Sequence, residues 1–352
     1  MELPMTTLTR LCFGLLLWLP LVSLLAPRPL AAAEKTIARQ AIRGSVSGFL
    51  FDPQAHELRP IVGIPGSSFL GNGMSWSADL DEIMISPVRD YALALSRDHH
   101  ELVEIRQISS AATVRGIVRG ASPIDMIFVS PLGGEAVLYR RAAHTFQLLR
   151  NLPDAPHAGE EVEMPWSRGS LTTLAVGDGG IVLAGFSDGE SGAIYWIGSA
   201  GRAGVVSRMR HPSAITFVSH SHDALVADRI DNKIYLVRNI TRNPATIPLA
   251  SHYDGVDGPV AVEASRDGQR AIVANTHSKT ILTLDLDGGS PAVYSCHCVP
   301  TALRHLNGNA VFQLTESSPK GPVWLFDGDA PEPRIVFVPP YRAGSSEVQE
   351  HQ

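Results

Sequence analysis

Six times between Ala92 and Phe312 a tight-turn pair is followed by a short apolar triplet, and the triplets recur at a near-constant interval. They are Ala92-Leu93-Ala94, Ala136-Val137-Leu138, Ile181-Val182-Leu183, Ala224-Leu225-Val226, Ala271-Ile272-Val273 and Ala310-Val311-Phe312, spaced 44, 45, 43, 47 and 39 residues apart. The preceding turns are Asp90-Tyr91, Gly133-Gly134, Asp178-Gly179-Gly180, His222-Asp223, Asp267-Gly268 and Asn307-Gly308. Most supply a residue that tolerates positive φ at a reversal. The fullest copy spans Gly258–Leu286 and predicts three strands: Val260–Ala264, Arg270–Ala274 and Thr280–Leu284. Third strands recur at Leu102–Ile105, Phe146–Leu149, Ala193–Ile197, Lys233–Val237 and Val323–Phe326. Fourth strands are clearest at Thr113–Val118, Ala292–Ser295 and Arg334–Val338.

A period of about 40–45 residues with four short strands is the size of one propeller blade. A lone antiparallel blade cannot bury its two apolar faces, whereas blades stacked radially cover one another. The chain therefore predicts an all-β fold, a β-propeller of four-stranded antiparallel blades. Ahead of the six copies, Gly48–Asp52 and Arg59–Ile64 read as a third and a fourth strand without a first and second. Six copies and this half-blade favour seven blades over six. The propeller then occupies residues 46–340, after a polar leader at 34–45. Asn151–Gly169 reads as an insertion between blades, and 341–352 as a flexible tail.

The phrases SRDGQRAIVANTHSKTILTLDLDGG (Ser265–Gly289) and SHSHDALVADRIDNKIYLVRN (Ser219–Asn239) carry a likeness to known proteins. Through them the chain resembles bacterial exported propellers of the broad YVTN and NHL type over residues 46–338. The resemblance implies ring architecture and no particular activity.

Residues 1–33 read as a signal peptide. Arg10 supplies the positive n-region, Phe13–Leu25 the apolar core, and Ala31-Ala32-Ala33 a small-residue cleavage site. Export to the periplasm or beyond the cell follows, with no membrane insertion after cleavage. The leader holds Glu2, Arg10 and Arg28, a net +1, so the stated −6 becomes −7 in the remainder. No basic stripe exists, which argues against nucleic acid as a partner. Only Cys296 and Cys298 lie beyond the leader, so stability must come from a core and not from a disulfide framework.

Each chemical cluster has a structural reading beside the functional one. Ser219-His220-Ser221-His222-Asp223 could ligate zinc but falls at a first-to-second-strand turn. Cys296-His297-Cys298, if extended, puts the two thiols on one face at or beyond the upper limit for an unstrained disulfide, with His297 opposite. The acidic turns at Asp254–Gly258, Asp285–Gly288 and Asp327–Asp329 lack the oxygen count of a calcium loop. His99-His100 falls in a second-to-third-strand loop. Trp196 and Trp324 sit in third strands, where packing explains them.

Innermost strands line the axis of a propeller, so residues at their entries converge. These are Asp81, Asp125, Thr172, Ser213, Pro259 and Pro300, with Asp79 and Asp257 close by. Asp79, Asp81, Asp125 and Asp257, with Trp76 and Trp166 as stacking surfaces, form the expected channel-mouth site. Asp81, Asp125 and Asp257 are the candidate ligands for a divalent cation such as calcium, since clustered carboxylates repel until a cation relieves them. Two functions are consistent with this. One is a non-enzymatic propeller binding a protein, peptide or glycan. The other is a metal-dependent, lactonase-like hydrolase, which rests on fold analogy.

Overall fold

The computed structural model describes residues 35–36, 45–74, 76, 79–164, 169–198, 201–318 and 321–341. The leader peptide with its cleavage site, most of 34–45, Trp166 and the tail beyond Tyr341 lie outside the described residues. Seven antiparallel sheets follow one another around a ring. Blade I comprises Leu80–Ile85, Tyr91–Ser96, Glu101–Arg106 and Thr113–Arg119, with Lys35–Thr36 paired to the last of these. Blade II is Met126–Val129, Ala136–Arg140, Thr145–Arg150 and His157–Glu163; blade III is Ser170–Val176, Val182–Ser187, Gly192–Ile197 and Ala203–Met209. Blade IV is Pro212–Phe217, Ala224–Asp228, Lys233–Arg238 and Ala245–Ala250; blade V is Pro259–Ala264, Arg270–Asn275, Thr280–Asp285 and Ala292–Ser295. Blade VI is Arg304–His305, Val311–Gln313, Val323–Asp327 and Arg334–Val338. Blade VII, built from the start of the propeller, has three strands: Val46–Asp52, Glu57–Ile64 and Ser67–Leu70.

The recurring apolar triplets are second strands, and their period-2 alternation explains the ring. Leu225 and Ala227 pack with Val262, Val273 and Leu282 of blade V, while Ala224 and Val226 pack with Leu183 and Ile194 of blade III. Ala271 and Val273 turn toward blade IV, Ile272 and Ala274 toward Phe312 and Phe326 of blade VI. Successive side chains point to opposite faces, so every second strand feeds two inter-blade cores at once. Each fully buried Val, Leu or Ile contributes about 1.5–3 kcal/mol relative to exposure.

Two sequence expectations are revised. His157–Glu163, expected within an insertion, is the outermost strand of blade II; an outer strand needs few apolar residues, and HAGEEVE has few. The half-blade at the N-terminal end is not a third and fourth strand. Val46–Asp52 starts beside the first-to-second turn of blade VI, where Asn307 donates from its backbone to Ser47 O (2.7 Å) and from Nδ2 to Val46 O (2.8 Å). It ends at the opposite face, where the His56 ring meets Leu80 O. It therefore runs against the innermost strands Leu80–Ile85 and Arg304–His305, as second strands do. His56, immediately before the next strand, has φ 52°, matching His144, Asn232 and Lys279 immediately before third strands. Blade VII thus holds a second, third and fourth strand and lacks an innermost one among the described residues.

Blade VII closes the ring between blades VI and I. Arg334 donates to Pro65 O (3.2 Å), and Tyr341 Oη to Asn72 (3.0 Å). Buried Arg59 is held by Glu57 (2.7 Å) and Asp52 (3.1 Å), with its guanidinium over the Tyr341 ring.

Candidate functional site

The channel-facing strands surround a cavity of about 310 Å³. Its wall is largely apolar, with Phe49, Phe51, Ile83, Phe128, Ile215 and Leu303 among the residues that line it. Three polar side chains meet on one side. Glu263 lies on the innermost strand of blade V, Thr216 on that of blade IV and His305 on that of blade VI. Thr216 Oγ1 donates to Glu263 Oε2 (2.9 Å), and His305 Nε2 stands 3.7 Å from the same oxygen. Glu263 Oε1 takes no hydrogen bond among the described residues, and His305 Nδ1 is buried without a partner among them. The His305 ring packs against Phe312, centroids 4.4 Å apart and planes tilted by 50°.

Protein encloses this pair, leaving 28 % of the Glu263 side chain and 13 % of His305 reachable by solvent. Burial pushes the Glu263 carboxyl up to about 8, with the Thr216 hydrogen bond pulling weakly the other way. Burial and then the Arg266 guanidinium push His305 down to about 3. At neutral pH the cluster is an uncharged acid beside an uncharged imidazole. Arg266 closes one end of the cavity: Nη2 donates to Pro87 O of blade I and to Leu306 O of blade VI (2.7 Å). Toward the other end, burial raises Glu82, and Arg304, itself paired with Glu316 at 2.8 Å, opposes the rise.

The residues nominated from sequence sit elsewhere. Asp79 pairs with Arg97 (2.8 Å) and Asp81 with His99 (3.0 Å). Asp125 accepts from the Arg141 amide (2.6 Å), and Asp257 faces His277 (3.5 Å). Each carboxylate is turned outward to the second-to-third-strand turn of its own blade, and none of the four lines the channel cavity. Among the described residues no three His, Cys, Asp or Glu side chains are grouped to hold a metal ion. Half-buried Trp76 packs with the core shared by blades VII and I. A hollow of about 640 Å³ between blades II and III is lined by Tyr139, Arg141, Met164, Gly169 and Phe186; Trp166 lies outside the described residues.

The other clusters have local roles. Cys296 and Cys298 form a disulfide: the chain bends after Ser295 instead of staying extended, bringing the Cα atoms to 4.9 Å. Asp223 closes the turn at Val218 and pairs with Arg238 (3.4 Å). Asp254 accepts from Ser251, and Asp329 from the Asn309 and Ala310 amides. Sequence reasoning missed Glu263, Thr216, His305 and Arg266. One signal pointed to them: Glu263 is the single charge in an otherwise apolar innermost strand, PVAVEA.

No family model and no curated protein sequence matches the chain. Solved structures do. A functionally unknown protein from Desulfotomaculum acetoxidans superposes with a TM-score of 0.59 at 16 % identity, covering 84 % of this chain and all of the other. Virginiamycin B lyase from Staphylococcus aureus gives 0.54 at 13 %, covering 75 % and 85 %. A protein from Lactobacillus plantarum gives 0.52 at 15 %, covering 86 % and 95 %. At such identities the likeness is one of fold. In architecture, the chain is a seven-bladed β-propeller.

Proposed function

We propose that this protein is an exported binding propeller that receives an uncharged, largely apolar part of its partner in the central channel. The observation that carries this is the channel itself: about 310 Å³, apolar walls, and a compact polar cluster at Thr216, Glu263 and His305. Ligand sites have this composition, apolar surface for affinity and a few placed polar groups for orientation. A rigid ring also offers such a surface at low ordering cost. Export rests on the Arg10, Phe13–Leu25, Ala31–Ala33 pattern.

The test is ligand-induced thermal stabilisation across uncharged small molecules, short peptides and glycans, with Ala261→Trp as the comparison. Ala261 lines the cavity from an innermost strand, so an indole there fills it. Ligands that stabilise the natural protein should have no effect on Ala261→Trp. Equal stabilisation of both would overturn the channel reading. A stoichiometric divalent cation whose removal lowers the melting temperature would favour the metal-assisted hydrolase instead.

A further inference from the structure

Blade VII leaves a strand edge facing the channel. Within the blade, Phe49 pairs with Pro60, Leu50 with Arg59 and Phe51 with Leu58. Pro60 O and Leu58 O are both taken on the far side, by the amides of Gly71 (2.9 Å) and Met74 (2.8 Å). In an antiparallel ladder the N–H and C=O of one residue point the same way and alternate along the strand. Leu50 is therefore bonded to Arg59, and the N–H and C=O of Phe49 and Phe51 point into the channel. No described residue pairs with them, although Phe49 is only 7 % exposed. Buried backbone groups without partners are rare in folded proteins.

Two hollows adjoin before this edge, with Arg266 between them. The channel cavity and a second hollow of about 260 Å³ share Phe49, Ile85, Pro87, Arg266 and His305. This space is flanked by the innermost strands Leu80–Ile85 and Arg304–His305, the place an innermost strand of blade VII would take.

We propose that this edge is a strand-addition site, at which an extended, uncharged aliphatic segment of a partner protein, about five residues long, completes blade VII. This deepens the binding reading and rests on it. The length follows from Gly48–Asp52 at one residue per residue. The chemistry follows from the walls and from three of the six innermost strands of the other blades, MIFV, SLTTLAV and PSAITF, which carry no charge; the remaining three carry one or two charged residues each. Within the site Arg266 Nη2 donates to two carbonyls, and its Nε is buried without a partner among the described residues, a donor that a backbone carbonyl of the docked segment would meet. The chain's own terminal sequence RAGSSEVQEHQ suits the site poorly. Val348 is its sole large aliphatic residue, and it departs from Tyr341, which is tied to Asn72 beyond the outermost strand.

The experiment titrates the protein lacking residues 1–33 with an acetylated, amidated peptide SLTTLAV, copying Ser170–Val176, by calorimetry and hydrogen exchange. Two N-methylated peptides, blocked at odd or at even positions, are the controls. The expected result is binding that protects the Phe49 and Phe51 amides. One N-methyl set should lower affinity by about tenfold or more, and the other should be tolerated, because a strand docked by one edge uses alternate amides. Loss with both sets or with neither would overturn strand addition. So would binding seen only after truncation beyond Tyr341, which would make the tail the occupant. If the peptide fails while ligands still lose their effect in Ala261→Trp, strand addition falls and the channel reading stands.

Discussion

Replacing Glu263 by Gln should change how stability depends on pH, by an amount that follows from the channel pair. In the folded chain Glu263 titrates at about 8 instead of 4.5 and His305 at about 3 instead of 6.5, both because burial disfavours the charged form. A raised carboxyl contributes stability that is intact below 4.5 and is lost as pH climbs to 8. A lowered imidazole contributes stability that is intact above 6.5 and is lost as pH falls to 3. Stability changes by about 1.4 kcal/mol per pH unit for each proton by which the two states differ. Between pH 4.5 and 6.5 the pair holds one proton whether the chain is folded or unfolded, so its contribution is flat. From 6.5 to 8 the folded pair holds one more than the unfolded, and stability falls by about 2 kcal/mol. From 4.5 to 3 it holds one fewer, and stability falls again by about 2 kcal/mol. Water reaching the channel screens both effects, so these are upper figures. Glu263→Gln retains an acceptor for Thr216 and removes the carboxyl's fall between pH 4.5 and 8, so the variant should gain stability from pH 4.5 to 6.5, where the natural protein is flat, and stay flat from 6.5 to 8, where the natural protein falls. Urea unfolding at constant ionic strength, at half-unit steps from pH 4 to 9, measures this as the difference between the two proteins. A difference that stays constant from pH 6.5 to 8 would refute a buried, protonated Glu263.

Other perturbations test the surroundings. Tyr91, fully buried, donates to Gly133 O at 3.0 Å across blades I and II, so Tyr91→Phe should cost about 1–2 kcal/mol in chemical denaturation. The His99 pKa is raised chiefly by its hydrogen bond to Asp81; in Asp81→Asn it should fall, as read by NMR titration of the ring. Reducing Cys296–Cys298 opens a loop with a sequence separation of only 2, so the loss should be about 1.5 kcal/mol, and the protein should remain folded in reductant by circular dichroism.

The ring was legible because its cause is local and repeated. A turn residue and an apolar triplet recur at each second strand, and burial on both faces leaves no polar alternative there. The ends were harder to read. Val46–Asp52 is apolar enough to be any inner strand, and only its direction, visible at Asn307 and His56, shows that it is a second one. His157–Glu163 was unreadable for the opposite reason, since a strand facing solvent carries almost no apolar signal. The channel cluster is not legible in the sequence, because the entry positions of the innermost strands do not turn toward the axis. Asp79, Asp81, Asp125 and Asp257 find partners in their own blade's second-to-third turn, a short-range contact that wins over facing a narrow apolar channel. Thr216, Glu263 and His305 lie 47 and 42 residues apart in successive blades, so no spacing within one motif reveals them.

The open edge of blade VII is tested most directly by residue-resolved hydrogen exchange on the free protein. Leu50, bonded across the ladder to Arg59, should exchange slowly, and its neighbours Phe49 and Phe51 should exchange faster by orders of magnitude. Equal, strong protection of all three amides would mean that a strand already fills the edge, contradicting an unpaired channel wall.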